Sequence, residues 1–163
     1  MYFANRTRGT GLRAAALRAT LERLLVEVDA DAATVSLSLV RDPEMRELNR
    51  EHRQKDQPTD VLSFPLYEPD AFERKGRTHP RATAQANELM LGDIVISVDT
   101  ARAQAEAYDA PLGREIERLL IHGVLHLCGH DHEKAGERRV MEREERRLAE
   151  AIGMPWPYLG ELR

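Results

Sequence analysis

The run LLIHGVLHLCGHDH at residues 119–132 constrains this chain more than any other segment. Its apolar residues predict a helix that Pro111 opens and that reaches Cys128. His122 and His126 stand four residues apart within it. At about 3.6 residues per turn they project from one face, one turn apart. Gly129 stops the helix, because glycine takes the left-handed conformation at no steric cost. The chain then turns back and carries His132 toward the same point. Three imidazoles so spaced predict one Zn2+ ion with its fourth tetrahedral position open to water, the pattern of a catalytic rather than a structural site. Water on such an ion has a strongly lowered pKa.

The neighbours of the three histidines refine this reading. His130 competes with His132 as third ligand, since it lies four residues beyond His126, but it serves only if the helix continues through Gly129. The glycine break favours His132. Cys128 reads as a buried thiol off the ligand face. Asp131 is either a second-nitrogen partner for a ligand imidazole or a plain turn aspartate. The spacing H-x-x-x-H-x-x-G-x-x-H is also that of the metzincin zinc proteases, with one departure. Where their motif places a glutamate as general base, this chain has Gly123. The metal geometry is kept and the peptidase's proton shuttle is not. Asp60, Asp93 and Asp131 are candidate bases that the sequence does not rank.

Around this centre the pattern predicts a single domain over residues 1–163. A helix is expected over residues 12–28, with Leu17, Leu21, Leu24, Leu25 and Val28 on one face. Val35, Leu37 and Leu39 alternate with Ser36 and Ser38 as a strand with one buried face. Asp42 caps a helix with Pro43 at its first position, ending near Arg53. Residues 61–64 form a short strand closed by Pro65. A long connection over residues 67–87 includes a basic stretch at residues 72–84, read either as a solvated insertion or as a substrate contact. Residues 89–98 read as a strand in which Gly92-Asp93 marks a bulge or a hairpin turn. Asp99 caps a helix to Tyr108, and a last helix covers residues 134–152 before Gly153. Its mixed charges, Glu142, Glu144 and Glu145 among them, read as a solvated face, and Trp156 beyond it as packing. These elements fit a small mixed sheet covered by helices.

Composition narrows the partners. Net charge is −4 at pH 7, so any attraction for a polyanion is local. No stretch approaches the roughly 20 apolar residues that cross a bilayer, so no membrane partner is expected. One cysteine excludes an intrachain disulfide, and the first ten residues carry no apolar signal core, so the expected compartment is the cytoplasm.

The run HGVLHLCGHDH, residues 122–132, resembles the signature of the YbeY family of bacterial rRNA maturation factors and metal-dependent endoribonucleases. LNREHR at residues 48–53, DQPTDVLSFP at residues 56–65 and LGDIVIS at residues 91–97 are similar to that family's other conserved stretches, in the same order. The resemblance implies an α+β fold of about five helices on a mixed four-stranded sheet, with His122, His126 and His132 as zinc ligands. It implies that Arg53 matches an arginine near the metal needed for activity. It implies single-stranded RNA, rRNA and the ribosomal small subunit as partners, DNA not being expected, and roles in 16S rRNA 3′-end maturation and ribosome quality control. The chemistry agrees, since a guanidinium fork suits a phosphate. Thr59, Asp60 and Ser63 either position substrate, hold Arg53, or serve as turn and strand-edge residues. Two other readings stand beside the nuclease: a zinc hydrolase acting on another substrate, and a non-enzymatic ribosome-assembly factor with a structural zinc.

Overall fold

The alternation of Val35, Leu37 and Leu39 with serines does build a strand, and it lies inside the sheet. A computed structural model describes residues 1–67 and 89–155. The strands are β1 (Tyr2–Asn5), β2 (Ala33–Val40), β3 (Val61–Pro65) and β4 (Leu89–Ser97). The helices are α1 (Ala14–Glu27), α2 (Asp42–Arg53), α3 (Val98–Ala107), α4 (Leu112–Leu127) and α5 (Ala135–Ala151). The sheet order is β1-β2-β4-β3. β1, β2 and β4 run parallel, and β3 returns antiparallel along the edge of β4. This is the α+β architecture expected, with one addition: Tyr2–Asn5 near the N-terminus supply β1, which pairs with β2 and packs Phe3 against the core.

Helices cover both faces. Leu21, Leu24, Leu37, Ile94, Ile96, Ile116 and Leu120 belong to the larger core, under α1 and α4. On the opposite face Met45 of α2 packs with Val40, Leu62 and Val95. β2 is therefore buried on two sides, which corrects the expectation of one buried face. α2 and α3 each begin one or two residues earlier in register than the caps predicted. Arg41 precedes α2, and Ser97 caps α3 by accepting the Thr100 N–H.

Gly92 marks a bulge, one of the two alternatives. Thr34 pairs with Met90 but Val35 pairs with Gly92, so Leu91 is the extra residue. The bulge shifts the inward parity of β4. Leu89 and Leu91 face the main core before it, and Ile94 and Ile96 after it. Gly92 has φ +145°, and a β-carbon there would run into the Phe64 carbonyl oxygen of β3. Only glycine lets the two strands approach so closely.

The basic stretch at residues 72–84 and Trp156 lie outside the described residues. Among the described residues, no helix is long and apolar enough to cross a membrane.

Candidate metal centre

α4 is the most deeply buried helix, with Ile116, Leu119, Leu120, Ile121 and Val124 fully enclosed. It therefore holds its C-terminal histidines on a rigid support. Gly123 faces the sheet, where a β-carbon would come within 2.9 Å of the Ile94 side chain. A glutamate at this position must displace the Ile94 side chain, which gives a packing reason for the missing peptidase base.

The helix ends as the glycine predicted. Gly129 has φ +89°. Its N–H donates to the His126 carbonyl, and the His130 N–H donates to the Leu125 carbonyl at 3.0 Å. This pair of bonds is a Schellman turn. It reverses the chain and returns His132 to the ligand face. One ring nitrogen from each of His122, His126 and His132 lies within 4.8 Å of the others. The Nε2 atoms of His122 and His126 are 3.0 Å apart. A tetrahedral ion with Zn–N bonds of about 2.0–2.1 Å needs an edge of roughly 3.3 Å, so small ring rotations suffice. His130 is not part of this group.

The donors suit zinc in protonation as well as in placement. Burial, then the neighbouring charges of His122 and His132, lower the His126 pKa to about 4. His126 is therefore neutral, with a lone pair to offer, across the physiological range. The His122 Nδ1–H donates to Glu145 Oε1 at 2.7 Å. A carboxylate oxygen beside Nδ1 favours the tautomer with its proton there, which leaves the Nε2 lone pair free. No carboxylate or thiol joins the three imidazoles among the described residues. Cys128 is buried, and burial pushes its thiol up to about 12, so it stays protonated.

Glu145 corrects the reading of α5 as a purely solvated face. Its side chain is 12% exposed, against 24% for His122. The periodicity held a signal: Glu145 lies four residues after buried Met141 and three before buried Leu148, on the same stripe. Asp131 takes the plainer of its two roles. Its Oδ1 accepts the His132 backbone N–H at 2.6 Å and lies 4.0 Å from the His132 ring nitrogen.

Arg53, at the C-terminus of α2, reaches the same place from the other side. Its Nη2 donates to the Ser63 carbonyl at 3.1 Å, and its guanidinium carbon lies 5.8 Å from the centre of the Phe64 ring. A cleft of about 220 Å³ brings Arg53, Ser63 and Tyr67 together with His126, His130 and Asp131. Ser63 thus holds Arg53 through its main chain. Thr59 and Asp60 stabilise the turn instead, with Asp60 accepting from Val61 N–H and Gln104. Buried Asn49 also escaped the sequence reading. Its side-chain N–H donates to the Gln57 carbonyl at 2.7 Å and fastens the α2–β3 turn on which Arg53's position depends. Of the three candidate bases, only Asp131 lines this cleft.

Known proteins resemble this chain in sequence and in fold. The family model described as endoribonuclease YbeY matches residues 3–153. The chain is 44% identical over 152 residues to the endoribonuclease YbeY of Anaeromyxobacter dehalogenans, covering 93% of this chain and 71% of that protein. It is 40% identical over 145 residues to that of Caldanaerobacter subterraneus, covering 89% and 90% respectively. A solution structure from Thermotoga maritima superposes with a TM-score of 0.61 at 27% identity, over 93% of this chain and 89% of that one. A match that runs through the sheet, the histidine helix and the Arg53 turn alike makes this chain a member of the endoribonuclease YbeY family.

Proposed function

We propose that the chain is a zinc-dependent endoribonuclease that cuts single-stranded RNA, acting in 16S rRNA 3′-end maturation and ribosome quality control with the small subunit as partner. The observation that carries the reading is a three-imidazole group without a fourth protein ligand among the described residues, one member of which, His126, shares a cleft with Arg53.

His122, His126 and His132 would hold the ion, and Arg53 would hold the scissile phosphate. When bound, zinc supplies Lewis acidity toward a phosphoryl oxygen and lowers the pKa of water. The rest falls to the chain. Glu145 fixes the His122 ring, and the Schellman turn fixes His132. Arg53 presents guanidinium N–H groups beyond the one donated to Ser63, so it can bind phosphate oxygens as charge develops on them. Asp131, exposed in the same cleft, is the carboxylate best placed to take a proton.

Two features favour RNA over a peptide. The first is Gly123 with Ile94 packed against it. The second is the outer edge of β3. Ser97 N–H donates to the Asp60 carbonyl and Leu66 N–H to the Leu91 carbonyl, so even-numbered residues of β3 face β4. The odd-numbered ones face outward. There the Val61 N–H is taken by Asp60, the Ser63 carbonyl is taken by Arg53, and Pro65 has no N–H. An extended peptide adding to this edge would find these ladder positions closed.

Metal analysis of the purified protein, then cleavage assays on single-stranded RNA and on a casein digest, test the proposal. Zinc near one equivalent is expected, with RNA cut, casein intact, and activity lost to chelator and restored by zinc. His126→Ala should lose metal and RNA cleavage together. Full RNA cleavage by chelator-treated, metal-free protein would reject the reading.

A further inference from the structure

Two clefts meet at the three histidines. The first holds Arg53 and His126, between β3 and the turn after α4. The second, of about 230 Å³, lies between α4 and α5 and is lined by His122, His132, Arg138, Glu142 and Glu145. An endonuclease must also hold nucleotides beside the phosphate it cuts; Arg53 in the first cleft faces that phosphate, which leaves the second cleft for a flanking nucleotide. Resting on the RNA reading above, we propose that the α4–α5 cleft is a ribonucleotide subsite beside that phosphate, with Arg138 binding a phosphate and Glu142 accepting from a ribose hydroxyl.

The placement follows from helix periodicity. Arg138, Met141, Glu142 and Glu145 stand at i, i+3, i+4 and i+7, on one stripe of α5. Met141 is the buried footing of that stripe and Glu145 is engaged by His122. Arg118, also in the cleft, is held by buried Glu115 at 2.6 Å. Arg138 is committed differently. Its contact is a long bond from Nε to the His132 carbonyl, 3.4 Å, and its two terminal nitrogens have no partner among the described residues. That bond keeps the guanidinium beside the third imidazole and leaves a planar fork of the kind that grips phosphate. Glu142 is half-buried, and no hydrogen bond or ion pair engages it among the described residues. A carboxylate repels phosphate, so its place in an RNA cleft is opposite a donor. The 2′-hydroxyl is the donor that RNA has and DNA lacks.

The test uses zinc-loaded protein and single-stranded RNA oligonucleotides with one cleavage position, extended by one nucleotide at a time toward either end. The parent should gain in kcat/KM from extension on both sides. Arg138→Gln should lose the gain on one side only and keep it on the other. On an analogue that keeps its 2′-hydroxyls and has the scissile P–O bond replaced by P–CH2, its slope of log affinity against log salt should fall by about 0.7, the share of one single-strand phosphate contact. Arg138→Lys should restore that slope. A single 2′-deoxy substitution beside the cleavage position should slow the parent several-fold and leave Glu142→Gln indifferent. Zinc content equal to the parent's separates subsite loss from metal loss. If Arg138→Gln and Glu142→Gln respond to length, salt and deoxy substitution as the parent does, the subsite is overturned while the nuclease reading stands. A parent chain that cuts no RNA removes the nuclease reading itself.

Discussion

On the proposed reading, Glu145 would govern the metal centre without touching the metal. It accepts the His122 Nδ1 proton from a part-buried position on α5. Removing it frees the ring to rotate and to change tautomer. Such partners usually contribute about 10- to 100-fold in metal affinity. Glu145→Ala should therefore weaken zinc binding by about that factor, measured by competition with a fluorescent chelator. Glu145→Gln should lose less, because an amide oxygen still accepts. Parent-like affinity in Glu145→Ala would show that α4 alone orients the ring. Arg53 permits a complementary experiment. Arg53→Lys keeps the charge but not the fork that holds the Ser63 carbonyl and, under the proposed function, would also reach a phosphate. Its kcat should fall about 100-fold, the usual cost of one transition-state donor, with zinc content unchanged. A lysine variant of equal kcat would reduce Arg53 to a point charge.

At the scale of elements, the strand β4 and its bulge carry a prediction of their own. Gly92 combines a backbone conformation open to glycine with the Phe64 carbonyl lying where a side chain would begin. Gly92→Ala must strain one or separate β3 from β4. Strain of that kind costs about 1–3 kcal/mol, which in a chain of this length lowers Tm by roughly 3–9 °C. An unchanged Tm would mean that the strands part freely. The same strand explains what the sequence made legible. Periodicity within one helix was readable, so the histidine face of α4 and the glycine stop were anticipated from residues 119–132 alone. Parity within a strand was readable until Leu91 reset it. Pairings between distant segments were not readable. Tyr2–Asn5 joins the sheet because the β2 edge offers it backbone partners and Phe3 packs against the main core, and four residues are too short for a strand pattern to stand out. Glu145 was hidden by the opposite fault: its charge drew attention away from its place between Met141 and Leu148.

The whole molecule couples these pieces through acid. The group to follow is His126, whose pKa in the fold is about 4 because burial and two neighbouring imidazoles oppose its charge. In the unfolded chain an imidazole titrates near its ordinary value of about 6.5. Between those two values the unfolded state binds a proton that the folded state refuses. Stability must therefore rise with pH from about 4 to about 6.5 and show no further dependence from this group above that. His130 adds to the same trend, its pKa being lowered chiefly by burial. Under the proposed zinc binding a second layer follows, since an ion that binds only the neutral, assembled imidazoles stabilises the fold by mass action. Acid withdraws that contribution as it protonates them. Thermal melts of chelator-treated protein from pH 4.5 to 8 should thus climb to about pH 6.5 and then level. Zinc-loaded protein should melt higher at neutral pH and converge on the metal-free curve in acid. His126→Ala should flatten the metal-free climb, because the group that refuses the proton is gone, and should abolish the gap between the curves at neutral pH. A variant that keeps both the climb and the gap would place the acid sensitivity, and the metal, somewhere other than the end of α4.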